Sequence, residues 1–224
     1  MFRATRSPEG SRGPTASEVR SLSPVRGRES ERGVSSRLRI IAGAARGTPL
    51  AAPPGLATRP TSDLLRGAIF NMLAAEGPFD RVADLYAGSG ALGIEALSRG
   101  AAFCAFIEQN SRACRTIQRN LDATKFGAIA SVICAVLPQA IDRLPGAFDL
   151  VLLDPPYEAD QLPAALAKLA ISEHLSPDAL IVAEHRATTL LPEAIAGLTV
   201  WKLRRQGDAA VTIYRTAPAS PVLP

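Results

Sequence analysis

The sequence predicts an α/β fold in which a mostly parallel sheet of seven strands carries helices on both faces. Short apolar runs alternate with segments of helical periodicity between residues 82 and 184, which is the pattern of a doubly wound parallel sheet. A glycine-rich turn after the first run leads into a helix, and right-handed crossovers then place the strand ends at one edge. The last two runs, 198–203 and 209–214, flank a short polar turn and predict an antiparallel hairpin that completes the sheet.

The individual elements follow from the same periodicities. Five parallel strands are predicted near 82–86, 103–107, 131–135, 148–153 and 179–184. Four helices are predicted near 91–98, 110–123, 137–143 and 160–171. Ahead of them, 38–42 and 48–51 have the pattern of two short strands, and a helix follows whose buried face carries Leu65, Ile69, Met72 and Leu73.

Composition divides the chain into four stretches. Residues 1–36 hold seven arginines and four glutamates but few large apolar residues, so they cannot bury enough surface to offset the entropy of ordering. We therefore expect a disordered tail, which carries most of the net charge of +4. Residues 37–75 form the predicted N-terminal hairpin and helix, 76–217 the main α/β domain, and 218–224 a flexible C-terminus.

Composition also excludes several classes of protein. No stretch approaches the ~18 unbroken apolar residues of a membrane helix, and the N-terminus lacks the apolar core of a secretory signal. We expect a cytoplasmic monomer with no membrane partner. The three cysteines Cys104, Cys114 and Cys134 have no paired spacing, and with two histidines they predict reduced thiols and no metal site. Cys104 and Cys134 lie in apolar runs, where we expect them to be buried.

The first motif that carries chemistry runs from Asp84 to Gly93, as Asp-Leu-Tyr-Ala-Gly-Ser-Gly-Ala-Leu-Gly, between a strand and a helix. Glycines let the chain turn tightly and let a ligand approach the backbone, while the helix N-terminus favours a carboxylate or phosphate. Glu108 ends the next strand, 18 residues past Gly90, where an acid that holds ribose hydroxyls stands. Together these features predict a nucleotide-type ligand.

The second motif is Asp154-Pro155-Pro156-Tyr157, directly after the apolar run 148–153. Open α/β sheets bind ligands at strand ends, and two prolines stiffen this loop while leaving free carbonyls. Asp154 and the Pro155 carbonyl can accept hydrogen bonds from an NH2 group, and the Tyr157 ring can stack on a flat base. The loop predicts a receptor for a planar aromatic amine; the alternative is a proline turn whose tyrosine covers the sheet edge.

Two ligands fit the glycine loop. Gly88, Gly90 and Gly93 match the G-x-G-x-x-G pattern of dinucleotide sites, so an NAD-dependent oxidoreductase is one alternative. Asp84 stands just before the loop, where it could meet an ammonium group, which S-adenosylmethionine has and NAD lacks. The Asp154 loop would offer a place for an amine beside a sulfonium methyl, whereas an NAD enzyme leaves it without a purpose.

The acid and glycine loop, the strand-end glutamate and Asp-Pro-Pro-Tyr together resemble the class I S-adenosylmethionine methyltransferases that act on exocyclic amines. The finer pattern is similar to bacterial small-subunit rRNA guanine-N2 methyltransferases. The matching segments are Arg39-Ile40-Ile41-Ala42-Gly43, Arg46-Gly47, Arg59-Pro60-Thr61, Arg66, Phe70-Asn71 and the stretch 87–100. The resemblance covers 37 to about 215. It departs from the family at Gly67, where Glu is frequent, and at Val136, where a polar residue often meets the adenine.

The resemblance implies a Rossmann-like class I methyltransferase fold and a bacterial enzyme that uses S-adenosylmethionine. Its implied substrate is the exocyclic N2 of a guanine in 16S rRNA, of the guanine-966 type, within an assembled 30S subunit. The implied cofactor-binding set is Asp84, Tyr86, Ala87, Gly88, Ser89, Gly90, Glu108 and Gln109. The implied catalytic set is Asp154, Pro155, Pro156 and Tyr157.

Contact with RNA is predicted for basic residues ahead of the core. The candidates that could line a phosphate-binding face are Arg39, Arg46, Arg59 and Arg66, together with Thr61, and Arg204 and Arg205 are weaker candidates. Two further alternatives stay open. One is an N-methyltransferase for a DNA adenine or cytosine, because the tetrapeptide reads the amine and not the polymer. The other is a non-catalytic RNA-binding protein.

Overall fold

The computed structural model describes residues 38–53, 60–156 and 161–216, apart from the side chains of 60–62. The α-helices are α1 (Pro60–Leu73), α2 (Ala91–Ser98), α3 (Ser111–Thr124) and α4 (Leu162–Ala170). The strands are β1 (Arg81–Leu85), β2 (Phe103–Glu108), β3 (Ala130–Cys134), β4 (Phe148–Leu153), β5 (Leu175–Arg186), β6 (Ala194–Ile195), β7 (Leu198–Gln206) and β8 (Ala209–Thr216). Short 3₁₀ helices occupy Gly127–Ile129 and Gln139–Arg143. The predicted tail 1–36 and the C-terminus 218–224 lie outside the described residues.

The strands form one sheet in the order β3-β2-β1-β4-β5-β8-β7-β6. The strands β1 to β5 pair in parallel, because each connection between them crosses over one face of the sheet. The strand β8 pairs antiparallel with β5, and β7 pairs antiparallel with β8. The predicted α/β fold with an antiparallel C-terminal hairpin is therefore confirmed. The strand order reverses between β1 and β4, and open α/β sheets bind ligands at such a switch point.

Several elements differ from the prediction. The sheet has an eighth strand, because left-handed backbone at Ala196 and Gly197 turns β6 back onto β7. The segment predicted as a helix over 137–143 is a 3₁₀ helix of five residues, since Pro138 and Pro145 bound it. The two predicted N-terminal strands reduce to one antiparallel bridge between Arg39 and Pro49. Proline has no N–H with which to extend a ladder.

One predicted burial is wrong. Cys104 is buried in the sheet, as expected, but Cys134 is exposed. Cys134 is the last residue of β3, and β3 lies at the edge of the sheet with one neighbouring strand. An apolar sequence pattern does not distinguish the end of an edge strand from the interior of a central one.

Two apolar clusters cover the faces of the sheet. On one face α1, α2 and α3 contribute the buried side chains of Ile69, Ile94 and Ile117. On the other face α4 and the 3₁₀ helix Gln139–Arg143 contribute Leu166 and Ile141. Each such side chain stabilises the fold by roughly 1.5–3 kcal/mol when it is removed from water. The sheet edge between the two layers is left for the loops that follow the strands.

A buried carboxylate fixes the N-terminal segment 38–53 to α2. Glu95, which is fully buried, accepts a hydrogen bond from the Ile41 N–H at Oε2 (2.8 Å) and from the Ala42 N–H at Oε1 (3.0 Å). Gly43 follows with φ 83°, and a Cβ at this position would lie 1.8 Å from the Ser98 carbonyl oxygen. The segment therefore sits tightly on the last turn of α2, while the glycine loop precedes the first turn of the same helix.

Candidate active site at the β1 and β4 strand ends

The loop after β1 has a left-handed backbone conformation that residues with a side chain rarely adopt. Tyr86, Gly88 and Gly90 all have positive φ values of 62°, 54° and 77°. The Gly90 N–H donates to the Ala87 carbonyl at 2.6 Å, which closes the turn. A Cβ on Gly90 would lie 3.2 Å from Ile117 Cγ2, whereas the nearest atom to a Cβ on Gly88 is the Tyr86 carbonyl oxygen at 3.9 Å. The loop thus packs on α3 at Gly90 and leaves space above Gly88.

Asp84 lies beneath this loop and is 1% exposed. Its Oδ2 accepts a 2.8 Å hydrogen bond from the Gly93 N–H, which ties the first turn of α2 to the end of β1. Burial raises the pKa of Asp84 from an ordinary 3.8 to about 8, with the Gly93 hydrogen bond lowering it and the Glu108 carboxylate raising it further. Sequence reasoning predicted a ligand contact for Asp84 but missed this partner within the protein.

Glu108 joins the loop to the next strand. Its Oε2 accepts a 2.9 Å hydrogen bond from the Gly88 N–H, and its Oε1 accepts one of 2.7 Å from the Asn110 N–H. Asn110 in turn caps α3, with its side-chain oxygen 2.9 Å from the Arg112 nitrogen. The carboxylate therefore stands beside the left-handed turn with lone pairs left for further donors. Gln109, also predicted for the cofactor, is exposed next to it.

Asn120 is a site residue that sequence reasoning missed. Its amide, 2% exposed, donates to the Ser89 carbonyl at 2.8 Å and to the Ala51 carbonyl at 3.0 Å, and accepts from the Ala51 N–H at 2.8 Å. One side chain of α3 thus connects the glycine loop with the N-terminal segment. The available signal was an asparagine on the apolar face of an amphipathic helix, because a buried amide needs several partners.

The hydroxyl of Tyr86 is a buried polar group that the described residues do not satisfy. It has no hydrogen-bond partner in the part of the chain that the structure describes. Burial raises the pKa of Tyr86 to about 12. An unsatisfied buried hydroxyl in a loop with left-handed backbone is a feature that a polar ligand would complete.

Asp154 begins its loop directly beside the end of β1. The strands β1 and β4 pair with Leu85 opposite Leu153, and the Asp154 nitrogen lies 3.5 Å from the Leu85 carbonyl oxygen. The Asp154 side chain is exposed, whereas Pro155 is buried and Pro156 is exposed. The structure therefore brings the start of the second motif to the glycine loop, across one strand spacing. Tyr157 lies outside the described residues.

The structure describes only part of the predicted RNA-binding set. Arg39 and Arg46 are exposed, whereas Arg59 and the Thr61 side chain lie outside the described residues. Arg66 requires a correction, because its side chain is 3% exposed and is already bound by protein groups. Its guanidinium donates to the Arg39 carbonyl (2.6 Å) and pairs with Asp63 (2.9 Å), and it lies 3.7 Å from Glu95. These contacts make Arg66 a structural residue and count against its predicted role at an RNA phosphate.

Arg46 is exposed and lies at the opposite end of α2 from the glycine loop. Its neighbour Ala45 donates to Ser98 Oγ at 2.9 Å, and Ser98 is the last residue of α2. The glycine loop precedes the other end of this helix, about 12 Å away at the usual rise per residue. Val136 lies two residues beyond β3 and is 56% exposed. At this position the related family often has a polar residue that contacts the adenine.

Residues 38–53, 60–156 and 161–216 contain neither a candidate metal-binding cluster nor a candidate membrane-spanning helix. No group of three or more His, Cys, Asp and Glu residues there could hold a metal ion. No helix within these ranges is long and apolar enough to cross a membrane.

Comparisons with known proteins agree with this geometry. Residues 38–215 match the family model described as conserved hypothetical protein 95. Ribosomal RNA small subunit methyltransferase D of Escherichia coli (strain K12) is 34% identical over 181 residues, covering 81% of this chain and 89% of that protein. "Putative rRNA methyltransferase YlbH" of Bacillus subtilis (strain 168) is 37% identical over 182 residues, covering 80% and 98%. The solved structure "Putative methyltransferase yhhF from Escherichia coli" matches with a TM-score of 0.71 at 32% identity, covering 82% and 99%.

Proposed function

The chain belongs to the conserved hypothetical protein 95 family, and from this membership we propose that it is an S-adenosylmethionine-dependent rRNA methyltransferase. More specifically, we propose that it methylates the exocyclic N2 of a guanine in 16S rRNA, on an assembled 30S subunit. One observation carries the proposal. The amine-binding motif at Asp154 begins 3.5 Å from the Leu85 carbonyl, at the strand end from which the glycine loop departs. The NAD alternative is set aside, because the relatives named above are methyltransferases.

The residues around the glycine loop fit the proposed cofactor. The left-handed turn at Gly88 and Gly90 exposes backbone that no Cβ covers, Glu108 can accept hydrogen bonds from ribose hydroxyls, and Asp84 can pair with an ammonium group. The unsatisfied Tyr86 hydroxyl gives this region a further polar group for a ligand. Bound S-adenosylmethionine supplies an electrophilic methyl group on a sulfonium, which is already a good leaving group.

The Asp154 loop positions the nucleophile in this proposal. The Asp154 carboxylate and the Pro155 carbonyl accept the two N2 hydrogens of guanine, which directs the nitrogen lone pair towards the methyl carbon. The buried Pro155 and the two consecutive proline rings hold these acceptors in a fixed geometry. Tyr157 is proposed to stack on the base. The exposed position of Asp154 at the sheet edge leaves it accessible to a base that enters from solvent.

Alignment supplies most of the catalysis in this scheme. Holding two reactants in line can contribute roughly 7–11 kcal/mol to lowering the barrier. The guanine N2 lone pair is delocalised into the ring, so acceptors that favour its pyramidal form act mainly in the transition state. A base must leave its stack to reach such a loop, at a cost of a few kcal/mol that RNA loops reduce. As the bond between N2 and the methyl carbon forms, the bond between that carbon and sulfur breaks, and one N2 proton leaves to the Asp154 carboxylate and then to solvent. Alkylation makes that proton acidic, so no stronger base is required.

Methyl transfer with nucleoside analysis tests the proposal. The protein is incubated with tritiated S-adenosylmethionine and either undermodified 30S subunits or naked 16S rRNA, and the labelled nucleoside is identified by digestion and chromatography. We expect N2-methylguanosine, with a higher yield from 30S subunits. Label in methyladenosine or methylcytosine, or transfer to DNA in place of rRNA, would contradict the guanine assignment. A higher yield from naked rRNA would contradict the assembled subunit as substrate.

A further inference from the structure

The register of the sheet places the end of β7 in line with Asp154. Leu153 of β4 pairs with Ala183 of β5, Ala183 with Thr212 of β8, and Thr212 with Leu203 of β7. The next row towards the ligand edge therefore runs from Asp154 through Glu184 and Val211 to Arg204. Since β7 runs parallel to β4, its C-terminal end lies at the same sheet edge as the Asp154 loop. Three strand spacings separate the two, or about 14 Å.

This end of β7 carries exposed cations on both faces of the sheet. Lys202 and Arg204 pair with Ile213 and Val211, which belong to the apolar cluster beneath α1 and α2, so they project on that face. Arg205 pairs with Ala210 and lies near His185 on the opposite face. Burial lowers the pKa of His185, and the positive charge of Arg205 lowers it further. All three cationic side chains are exposed.

The outer edge of β7 is also open over this stretch. In the described part of the chain, β6 pairs with β7 only at Leu198 and Thr199. Among the described residues, the stretch from 201 to 206 has β8 as its one neighbouring strand, so some of its backbone N–H groups face outwards. Outward N–H groups together with arginine side chains form the usual contact set for phosphate oxygens.

We propose that the C-terminal end of β7, residues 202–206, is an RNA-contact surface that binds phosphates next to the target nucleotide. This inference rests on the proposed function, because it requires a target base held at Asp154 on the same sheet edge. Arg204 and Arg205 hold the strand from opposite faces of β7. Arg204 and Arg205, which the sequence offered as weaker candidates for RNA contact, are the principal cations of this surface.

Charged residues on an open strand also protect it from pairing with other strands, and the experiment must distinguish this role from phosphate binding. Lysine and arginine on an edge strand prevent pairing with other molecules, and glutamate would serve that purpose equally well. Phosphate binding, in contrast, requires positive charge. The informative variant is therefore Arg204→Glu with Arg205→Glu, which keeps the edge charged and reverses its sign. Arg115→Glu with Arg119→Glu is the matched control, since both arginines are exposed on α3, which packs at the other end of the sheet.

Filter binding to unmodified 16S rRNA transcript over a salt series measures the contact. For the β7 double variant we expect at least about 10-fold weaker binding at moderate salt, and a slope of log affinity against log salt smaller by about 1.4 or more. We expect wild-type behaviour from the α3 control, and from Arg204→Lys with Arg205→Lys. S-adenosylhomocysteine affinity should be unchanged in all of them, which shows that each variant is folded.

Three results would overturn the surface. One is an unchanged affinity and salt slope in the β7 double variant, and another is an equal loss in the α3 control. The third is weaker binding to 30S subunits with unchanged binding to naked rRNA, which would assign the surface to a ribosomal protein. If the glutamate variant does not fold, Arg204→Gln with Arg205→Gln is measured under the same criteria. RNA binding and nucleoside analysis are independent measurements. A wrong guanine assignment can therefore be distinguished from a wrong assignment of this surface.

Discussion

Glu108 accepts a 2.9 Å hydrogen bond from the Gly88 N–H, so the strand-end acid and the glycine loop are joined before any ligand arrives. The two residues are 20 positions apart and belong to the ends of neighbouring parallel strands. This bond fixes the left-handed turn at Gly88 in place. A cofactor that binds here meets a loop that is already organised, which reduces the ordering cost of binding.

Substitution of Glu108 by glutamine tests this double role. The amide retains one acceptor oxygen for one of the two backbone N–H groups, of Gly88 and Asn110, and loses the charge that strengthens hydrogen bonds from ribose hydroxyls. Hydrogen bonds to charged groups contribute about 1.5–3 kcal/mol, so we expect S-adenosylhomocysteine to bind roughly 10- to 100-fold more weakly. Isothermal titration calorimetry gives the affinity, and methyl transfer at saturating cofactor gives the turnover. Unchanged affinity would remove Glu108 from the cofactor site.

Asp154 is the residue on which the proposed chemistry depends most. Replacement by alanine removes one acceptor for the guanine N2 hydrogens, and we expect methyl transfer to fall by about 100-fold or more. Cofactor affinity should survive, because Asp154 follows β4 and the cofactor groups follow β1 and β2. Tritiated transfer to 30S subunits is compared with calorimetric binding of S-adenosylhomocysteine. Full activity of the alanine variant would show that Asp154 takes no part in catalysis.

Asp84 should make stability depend on pH in an unusual direction. Its pKa is raised by burial from 3.8 to about 8, so the folded protein holds a proton that the unfolded chain releases above pH 4. The free energy of unfolding therefore falls as pH rises from about 4 to about 8, by an amount on the order of a few kcal/mol. Asp84→Asn keeps an oxygen for the Gly93 N–H but cannot ionise, so its dependence on pH should be flatter. Urea unfolding at several pH values measures both.

The same carboxylate predicts a proton release when the cofactor binds. An ammonium group favours ionised Asp84, so binding near pH 7 should displace the proton that burial retains. We expect the affinity for S-adenosylhomocysteine to rise between pH 6 and 8, and calorimetric heats to differ between phosphate and Tris buffers. Asp84→Asn should lose this buffer dependence. Identical heats in the two buffers for the wild type would contradict an ammonium contact at Asp84.

Two helical glycines should respond to alanine in opposite directions. A Cβ at Gly93 in α2 would lie 2.4 Å from Phe106 Cε1 and 2.7 Å from Cys104 Sγ, both fully buried, so Gly93→Ala should destabilise the protein by roughly 1–3 kcal/mol. At Gly67 in α1 the nearest atom would be Ile41 Cδ1 at 3.9 Å. Gly67→Ala should therefore stabilise by up to about 1 kcal/mol through helix propensity. Thermal unfolding distinguishes the two, and a stabilised Gly93→Ala variant would contradict the close packing of α2 on β2.

Local patterns were sufficient to predict the parallel strands, the antiparallel hairpin and the strand ends at which the candidate residues lie. Apolar runs of strand length marked β1 to β5, and the short turn at Gly207 marked the hairpin. The glycine loop and Asp154 each followed a predicted strand, and parallel strands bring their C-terminal ends to one edge. These predictions needed only the spacing of apolar residues in each element and the residue types in the turn after it. Both are properties of residues adjacent in the sequence.

Partners that are distant in the sequence required the tertiary structure. The burial of Arg66 against Glu95 depends on how α1 packs beside α2, and the three hydrogen bonds of Asn120 depend on where residue 51 passes the glycine loop. The exposure of Cys134 depends on β3 being an edge strand.

The sequence by itself determined at which strand ends the candidate residues lie, because a turn or a strand end is encoded by adjacent residues. Only the tertiary structure decided which charged groups are buried. It also decided which residues on different strands lie in one row, such as the row from Asp154 to Arg204. Burial and register arise from packing between segments far apart in the chain, and no local pattern records that packing.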